Sequence, residues 1–166
     1  MSRNLTIRLA EMRDAETIHA GLVALARVLD KGAKITSTAD DLRTHGFGDD
    51  PAFEVLLAEI DGAFAGFCLT FQSFSTWRGE RGVYVQDLYV GEAFRGRGIG
   101  EALLKAAAGR ARERGAGYLR LSVDVTNTKA QAFYERVGLA HSRDEQIHMI
   151  KGEAFHAFAM SDTDQT

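Results

Sequence analysis

Runs of apolar and β-branched residues in the middle of the chain predict a hairpin of two antiparallel strands. The runs cover 53–60 and 64–71 and are separated by Asp61-Gly62, a pair that favours the type I′ turn. The pattern predicts three further strands, over 5–9, 83–90 and 118–123.

Apolar positions at helical spacing predict helices between these strands. Asp14 is the expected N-cap of a first helix that runs to about Arg27, and Ser37 or Thr38 is the expected cap of a second. The predicted helices cover 15–27, 39–44, 101–114 and 129–137. The pattern over 146–158 leaves a strand and a helix open. Strands with interspersed helices predict a mixed α/β or α+β sheet domain.

Composition narrows the class of protein. The chain has 166 residues, a net charge of −3 and one proline, so we expect a single domain over 1–160 and a disordered tail over 161–166. It contains neither an apolar run of membrane-spanning length nor an N-terminal signal segment, which predicts a cytoplasmic protein with no membrane partner. The acidic balance argues against nucleic acid as a partner. Cys68 is expected to be a buried small hydrophobe, and the histidines lack metal-ligand spacing, so no metal is expected.

The segment 95–100, Arg-Gly-Arg-Gly-Ile-Gly, carries the strongest chemical signal. It lies between a predicted strand and a predicted helix, where free backbone N–H groups and the helix dipole favour an anion. Arg95 and Arg97 add two permanent charges that suit a pyrophosphate. A glycine-rich turn with solvated arginines is the alternative, and the spacing does not fit a dinucleotide-binding fingerprint.

Two ordered motifs give the chain a resemblance to the GNAT superfamily of N-acetyltransferases. Segment 95–100 matches that superfamily's R/Q-x-x-G-x-G/A motif, and its later N-x-x-A-x-x-F-Y-x-x-x-G pattern is matched by Asn127, Ala130, Phe133, Tyr134 and Gly138. The chain looks most like the diamine (spermidine/spermine) and thialysine acetyltransferase branch. The resemblance implies a mixed, mostly antiparallel, twisted sheet of about six to seven strands with about four flanking helices, splayed at strand 83–90.

The resemblance also implies an activity. The expected reaction is direct attack of a small primary amine on acetyl-coenzyme A in a ternary complex, the amine being a polyamine, a diamine or a lysine-like amino acid. The alternatives are another amine class, such as a protein N-terminus or an aminated antibiotic, and a non-catalytic acetyl-coenzyme A sensor. The branch further implies a homodimer.

Matching residues receive cofactor roles by the same resemblance. The strand end is expected to bind the pantetheine arm, the glycine turn the pyrophosphate, and the later motif the arm or its loop. The implied cofactor-binding residues are Leu88, Tyr89, Val90, Arg95, Gly96, Arg97, Gly98, Ile99, Gly100, Glu101, Asn127, Ala130 and Tyr134.

Proton transfer requires an acid and a base. Tyr134 matches the family's general acid, which would protonate the departing thiolate. Gln86 stands where related enzymes commonly carry a glutamate, and an amide cannot accept a proton, so Asp87 becomes the candidate base, with a structural role or a water chain as the alternatives. The candidate substrate-binding residues are Gln86, Asp30, Asp124 and Glu145.

Overall fold

The computed structural model describes residues 4–30 and 34–160. They fall into two compact units, the first ending at Ala130 and the second beginning at Gln131. The single domain over 1–160 therefore stays a prediction, and the tail predicted over 161–166 lies outside the described residues. The strands are β1 (Leu5–Leu9), β2 (Glu54–Ile60), β3 (Ala63–Ser75), β4 (Glu80–Val90) and β5 (Ala116–Leu121). The α-helices are α1 (Ala15–Val28), α2 (Ala39–Gly46), α3 (Ile99–Glu113), α4 (Thr128–Arg136) and α5 (Glu153–Met160).

The five strands form one sheet in the order β1-β2-β3-β4-β5. Neighbours are antiparallel from β1 to β4, and β5 is parallel to β4, so the predicted mixed, mostly antiparallel sheet is confirmed. Asp61 and Gly62 have φ angles of 50° and 81°, as the predicted type I′ turn requires. The predicted α/β class is confirmed.

The predicted strand count of six to seven is too high for the described residues, which hold five strands and five α-helices. The difference lies in the C-terminal segment, where the sequence pattern left strand and helix open. Residues 141–150 contain no strand, and α5 follows them. A strand needs a neighbour to satisfy its backbone N–H and C=O groups. The described part of the second unit offers no other strand, and a helix satisfies those groups internally.

Two irregularities shape β4. Leu69 pairs with Asp87 and Thr70 with Val85, so Gln86 is an extra residue that forms a β-bulge. Pairing of β4 with β5 covers only 81–85, although β4 continues to Val90. β5 ends at Leu121, opposite Val85, so this edge of β4 is unpaired by β5 from Gln86 onward, and the predicted splay stays a prediction.

Helices cover both faces of the sheet. On one face α1 contributes Ile18, which packs with Leu57 and Phe67 in a fully buried core cluster. On the other, α3 buries Ile99 and Leu103 and contacts β2, β3, β4 and β5. The core holds α3 firmly against the sheet, which fixes the position of the turn that precedes it.

Asp14 occupies the expected N-cap position of α1, but its side chain does not cap that helix. Its carboxylate accepts the backbone N–H of Glu11 at 2.7 Å and two hydrogen bonds from the Arg8 guanidinium. The hydrogen bonds from Arg8 are the main cause of the lowered pKa of Asp14. Thr38 caps α2 as predicted, accepting the backbone N–H of Asp41.

Candidate active site

The glycine turn presents exposed backbone at the start of α3. Gly96 and Gly98 have φ angles of 72° and 75°, in the left-handed region where a side chain is strained. A Cβ at either position would meet no protein atom within 4 Å, so the space above the turn is open. Ile99 follows directly and is only 2% exposed. A buried anchor thus holds a turn whose own surface is free for a ligand.

The surroundings of the turn favour an anion. Gly98 is the N-cap residue of α3 and provides no capping side chain, so the first N–H groups of the helix point to the turn. The guanidinium of Arg97 lies 5.7 Å from the centre of the Phe94 ring, and the Nε of Arg95 donates to the carbonyl of Val90 at 3.0 Å. Arg95 therefore ties the turn to the end of β4, and Arg97 remains at its exposed surface.

The outer edge of β4 is open beyond Val85. The N–H of Gly91 donates to Ala65 in β3 at 2.9 Å. Since the backbone groups of alternate residues in an antiparallel strand face opposite neighbours, those of Leu88 and Val90 face away from β3. The hydrogen bond from Arg95 to the Val90 carbonyl agrees with this direction. The N–H groups of Leu88 and Val90 are therefore available to an extended ligand that reaches the glycine turn.

Asp87 lies on the α1 face of the sheet, in a small apolar cavity of about 210 Å³. Leu22, Leu25, Ala26, Leu29, Lys34 and Ile35 line this cavity with it. Burial in these surroundings raises the pKa of the Asp87 carboxyl. A carboxylate of raised basicity, one residue from the open backbone of Leu88, is suited to accept a proton there.

The bulge separates the two neighbouring candidates Gln86 and Asp87. Gln86 is exposed, whereas Asp87 is half-buried beneath α1. Neither the bulge nor the apolar cavity was predicted from the sequence. The signal for the cavity was the stripe of Leu22, Leu25 and Leu29 on α1, which reads equally well as ordinary core.

Several other cofactor candidates of the first unit make contacts within the protein. Tyr89 packs its ring 6.0 Å from that of Phe67, and Glu101 forms an ion pair with Lys105 at 2.7 Å. Asn127 accepts the backbone N–H of Ala130 at 3.1 Å, which caps the start of α4. Gly100 lies in the first turn of α3.

Two substrate candidates of the first unit lie in turns. Asp30 is exposed just beyond α1, with a φ of 54°, and does not line the cavity that holds Asp87. The Oδ1 of Asp124 accepts the backbone N–H and the hydroxyl of Thr126, at 2.9 and 2.7 Å, in a closed polar turn.

The remaining candidates belong to the second unit. Tyr134 is half-buried on α4, and its ring centre lies 5.2 Å from that of Phe133. The Arg136 guanidinium lies over the Phe133 ring at 5.6 Å. Glu145 lies in the exposed stretch before α5.

Cys68 is fully buried, and burial raises the pKa of its thiol to about 12, which confirms the predicted structural role. Within residues 4–30 and 34–160, no cluster of three or more histidine, cysteine or acidic residues has the arrangement of a metal site. None of the helices in that same part of the chain has the length and apolarity needed to cross a membrane.

Comparison with known proteins shows the family of the chain. The family model described as the acetyltransferase (GNAT) family matches residues 23–139. The chain is similar to the thialysine N-epsilon-acetyltransferase of Bos taurus, with 32% identity over 92% of this chain and 96% of that protein. It is also similar to an L-ornithine N5-acetyltransferase of Arabidopsis thaliana, with 31% identity over 66% of this chain and 49% of that protein.

Among solved structures, the fold is similar to that of an integron cassette protein from the mobile metagenome of V. cholerae. The TM-score is 0.80 at 23% identity, and the match covers 95% of this chain and 98% of the other. Enzymes of the GNAT family use acetyl-coenzyme A as co-substrate. The family match over most of the chain and the similar acetyltransferases lead to one conclusion: this chain is an N-acetyltransferase of the GNAT family.

Proposed function

We propose that the chain transfers the acetyl group of acetyl-coenzyme A to the terminal primary amine of a small lysine-like or diamine substrate. The observation that carries this proposal is the open edge of β4, which leads from Asp87 past Leu88 to the glycine turn. The names of the thialysine and ornithine enzymes support the substrate class, since both substrates carry an amine at the end of a short chain. The cytoplasmic location expected from the sequence remains part of the proposal.

The first part of the mechanism is the grip on the co-substrate. The pyrophosphate lies over residues 95–100, against the N–H groups at the start of α3 and the charge of Arg97. The pantetheine arm pairs with the backbone of Leu88 and Val90 as an added strand. Acetyl-coenzyme A supplies the activated thioester, and a backbone N–H of β4 polarises its carbonyl.

The second part is deprotonation of the amine. An alkylammonium has a pKa near 10.4, so exposing its lone pair at pH 7 costs about 4–5 kcal/mol. Asp87 accepts this proton, directly or through a water molecule, and burial makes its carboxylate more basic than an exposed one. The side chains of Leu22, Leu25 and Leu29 provide an apolar surface against which the methylene chain of the substrate packs.

The third part is departure of coenzyme A. The amine nitrogen forms a bond to the thioester carbon, the C–S bond breaks, and Tyr134 donates its phenolic proton to the thiolate. The nitrogen, which carries a positive charge after the attack, releases its second proton, and this proton restores the Tyr134 phenol. A phenol with a pKa near 10 and a thiol with a pKa near 8.5 are close enough for this transfer. The match of Tyr134 to the later family motif supports this role.

The decisive experiment measures coenzyme A release with a thiol reagent while acetyl-coenzyme A and a panel of amines are supplied. We expect release with thialysine, lysine, ornithine or diamines, and a fall in kcat of roughly 10²–10⁴-fold in Tyr134→Phe with little change in acetyl-coenzyme A affinity. The buried thiol of Cys68 keeps the protein's own reaction with the reagent slow.

Tyr118→Phe is the matched control, because it removes a phenolic hydroxyl group elsewhere in the chain. That hydroxyl accepts a hydrogen bond from Ser73 Oγ on the sheet. Full activity of Tyr134→Phe would exclude Tyr134 as the acid. Release only with protein N-terminal peptides or aminoglycosides would replace the proposed substrate class. Binding of acetyl-coenzyme A without release for any amine would favour a sensor.

We also propose a homodimer, supported by the exposed apolar residues of the second unit. Ile147 and Met149 are 73% and 74% exposed, and Phe158 and Met160 of α5 are exposed as well. An apolar surface of this kind marks an interaction site, and the resemblance points to a second copy of the chain. Light scattering should give twice the 18.2 kDa mass of one chain, and Met149→Glu should give the single mass.

Val28→Glu, at an exposed apolar residue of α1, is the control and should leave the dimer intact. A wild-type protein of single mass at tens of micromolar would contradict the homodimer.

A further inference from the structure

A larger cavity, of about 460 Å³, lies within the first unit between the second half of α3 and the sheet. Phe53, Phe71, Ala107 and Ala111 supply apolar walls. Since an α-helix rises about 1.5 Å per residue, Ala111 lies about 18 Å along α3 from its first residue, Ile99. The cavity is thus separate from the glycine turn, Asp87 is not among the residues that line it, and its size is that of a small-molecule site.

The charges around this cavity are unbalanced. Its lining contains three arginines and one acidic residue, Glu54. Arg110 and Arg114 each donate from Nη2 to Glu54 Oε2 at 2.8 Å. Burial alone would raise the pKa of Glu54, but the hydrogen bonds from the two arginines outweigh it and lower the pKa. Glu54 therefore stays ionised and offsets one of the three positive charges.

Arg81 is the third of these arginines and stands on the opposite wall, on β4. The Nη1 atom of Arg81 lies 3.5 Å from Gln72 Oε1, which is long for a hydrogen bond. Arg110 and Arg114 have a structural role, because they bind Glu54 and offset the negative end of the α3 dipole. Among the described residues, Arg81 forms no ion pair of the kind that Arg110 and Arg114 form with Glu54.

A pocket with apolar side chains in its walls and an excess of guanidinium groups favours one ligand chemistry. Guanidinium groups bind carboxylates by paired hydrogen bonds. Transfer of alkyl or aromatic groups from water to an apolar surface lowers the free energy. We propose that this cavity is a second ligand site, which binds a small aliphatic or aromatic carboxylate with its carbon body between Phe53 and Phe71. The carboxylate accepts hydrogen bonds from Arg81 and from the Nη1 group of Arg114.

The test uses the full chain without acetyl-coenzyme A or amine, so its result is independent of the proposed reaction. Hexanoate and benzoate are titrated while the arginine side-chain Nε–H signals are followed by NMR. We expect saturable shifts of the Arg81 and Arg114 signals, and at least about tenfold weaker binding in Arg81→Gln, as loss of a charge-assisted hydrogen bond predicts. Hexylammonium, which has the same carbon chain and the opposite charge, should not bind.

Arg112→Gln is the matched control, because Arg112 lies on the same turn of α3, is exposed and does not line the cavity. Ala111→Leu fills the cavity without touching its charges and should also abolish binding. Unchanged hexanoate affinity in both Arg81→Gln and Ala111→Leu would overturn the proposal, and so would equal binding of hexylammonium. Absence of any saturable shift with both carboxylates would overturn it as well.

Discussion

Asp87→Asn is expected to lower kcat by roughly 10²–10⁴-fold at neutral pH, with the KM for acetyl-coenzyme A nearly unchanged. The amide retains the shape of the side chain in its cavity under α1 but cannot accept a proton. The substitution leaves the glycine turn and the β4 backbone, where we propose that the co-substrate binds, unchanged. The measurement is amine-dependent coenzyme A release under saturating acetyl-coenzyme A.

The pH dependence distinguishes a base from a merely structural carboxylate. Burial raises the pKa of Asp87, so the wild-type rate should fall on the acidic side at a higher pH than an exposed aspartate would cause. Asp87→Asn should lose this acidic limb, whereas Asp49→Asn, a change at an exposed loop residue, should keep it. An unaltered profile in Asp87→Asn would exclude Asp87 as the base.

Asp87→Asn is expected to raise the stability of the folded chain while it lowers activity. The pKa of Asp87 is higher in the folded than in the unfolded chain, so the folded state binds more protons between the two values. Its contribution to stability is therefore present at low pH and is lost as the pH rises through the folded pKa. Above the folded pKa the ionised side chain costs stability, and Asp87→Asn should raise the Tm at such a pH. A lower Tm together with low activity would indicate that Asp87 is needed for folding.

Local chemistry made much of the first unit predictable. The Asp61-Gly62 pair specified a turn with two positive φ angles, which fixes the β2–β3 hairpin and its register. The glycines at 96 and 98 likewise specified a turn that other residues adopt only with strain, followed by the helix whose apolar spacing was visible. Structure that is determined by residues a few positions apart can be predicted from the sequence.

Features that depend on distant partners were not predictable. The bulge at Gln86 results from the pairing of β3 with β4 and has no local signature. The raised pKa of Asp87 depends on α1, more than 50 residues earlier in the chain, which covers it. The segment before α5 has strand-like composition, but a strand forms only where another strand is in place to pair with it.

Gly98→Val is expected to weaken acetyl-coenzyme A binding by about 100-fold or more. The valine side chain would project into the open space above the turn, where a Cβ meets no protein atom within 4 Å, and would hold the pyrophosphate away from the α3 N-terminus. Loss of two hydrogen bonds to a charged group, at about 1.5–3 kcal/mol each, accounts for an effect of this size. Isothermal titration with acetyl-coenzyme A measures it directly.

Backbone strain has to be separated from blocked access, because Gly98 has a φ of 75° and a β-branched residue is disfavoured there. Gly115→Val provides the matched control: Gly115 has a φ of 84°, stands in equally open space, and lies at the other end of the same helix. Both variants should lose similar stability in thermal unfolding, since both place valine in the left-handed region. Only Gly98→Val should lose affinity, and equal losses of affinity in the two variants would show that strain in α3, rather than the turn's contact with the pyrophosphate, controls binding.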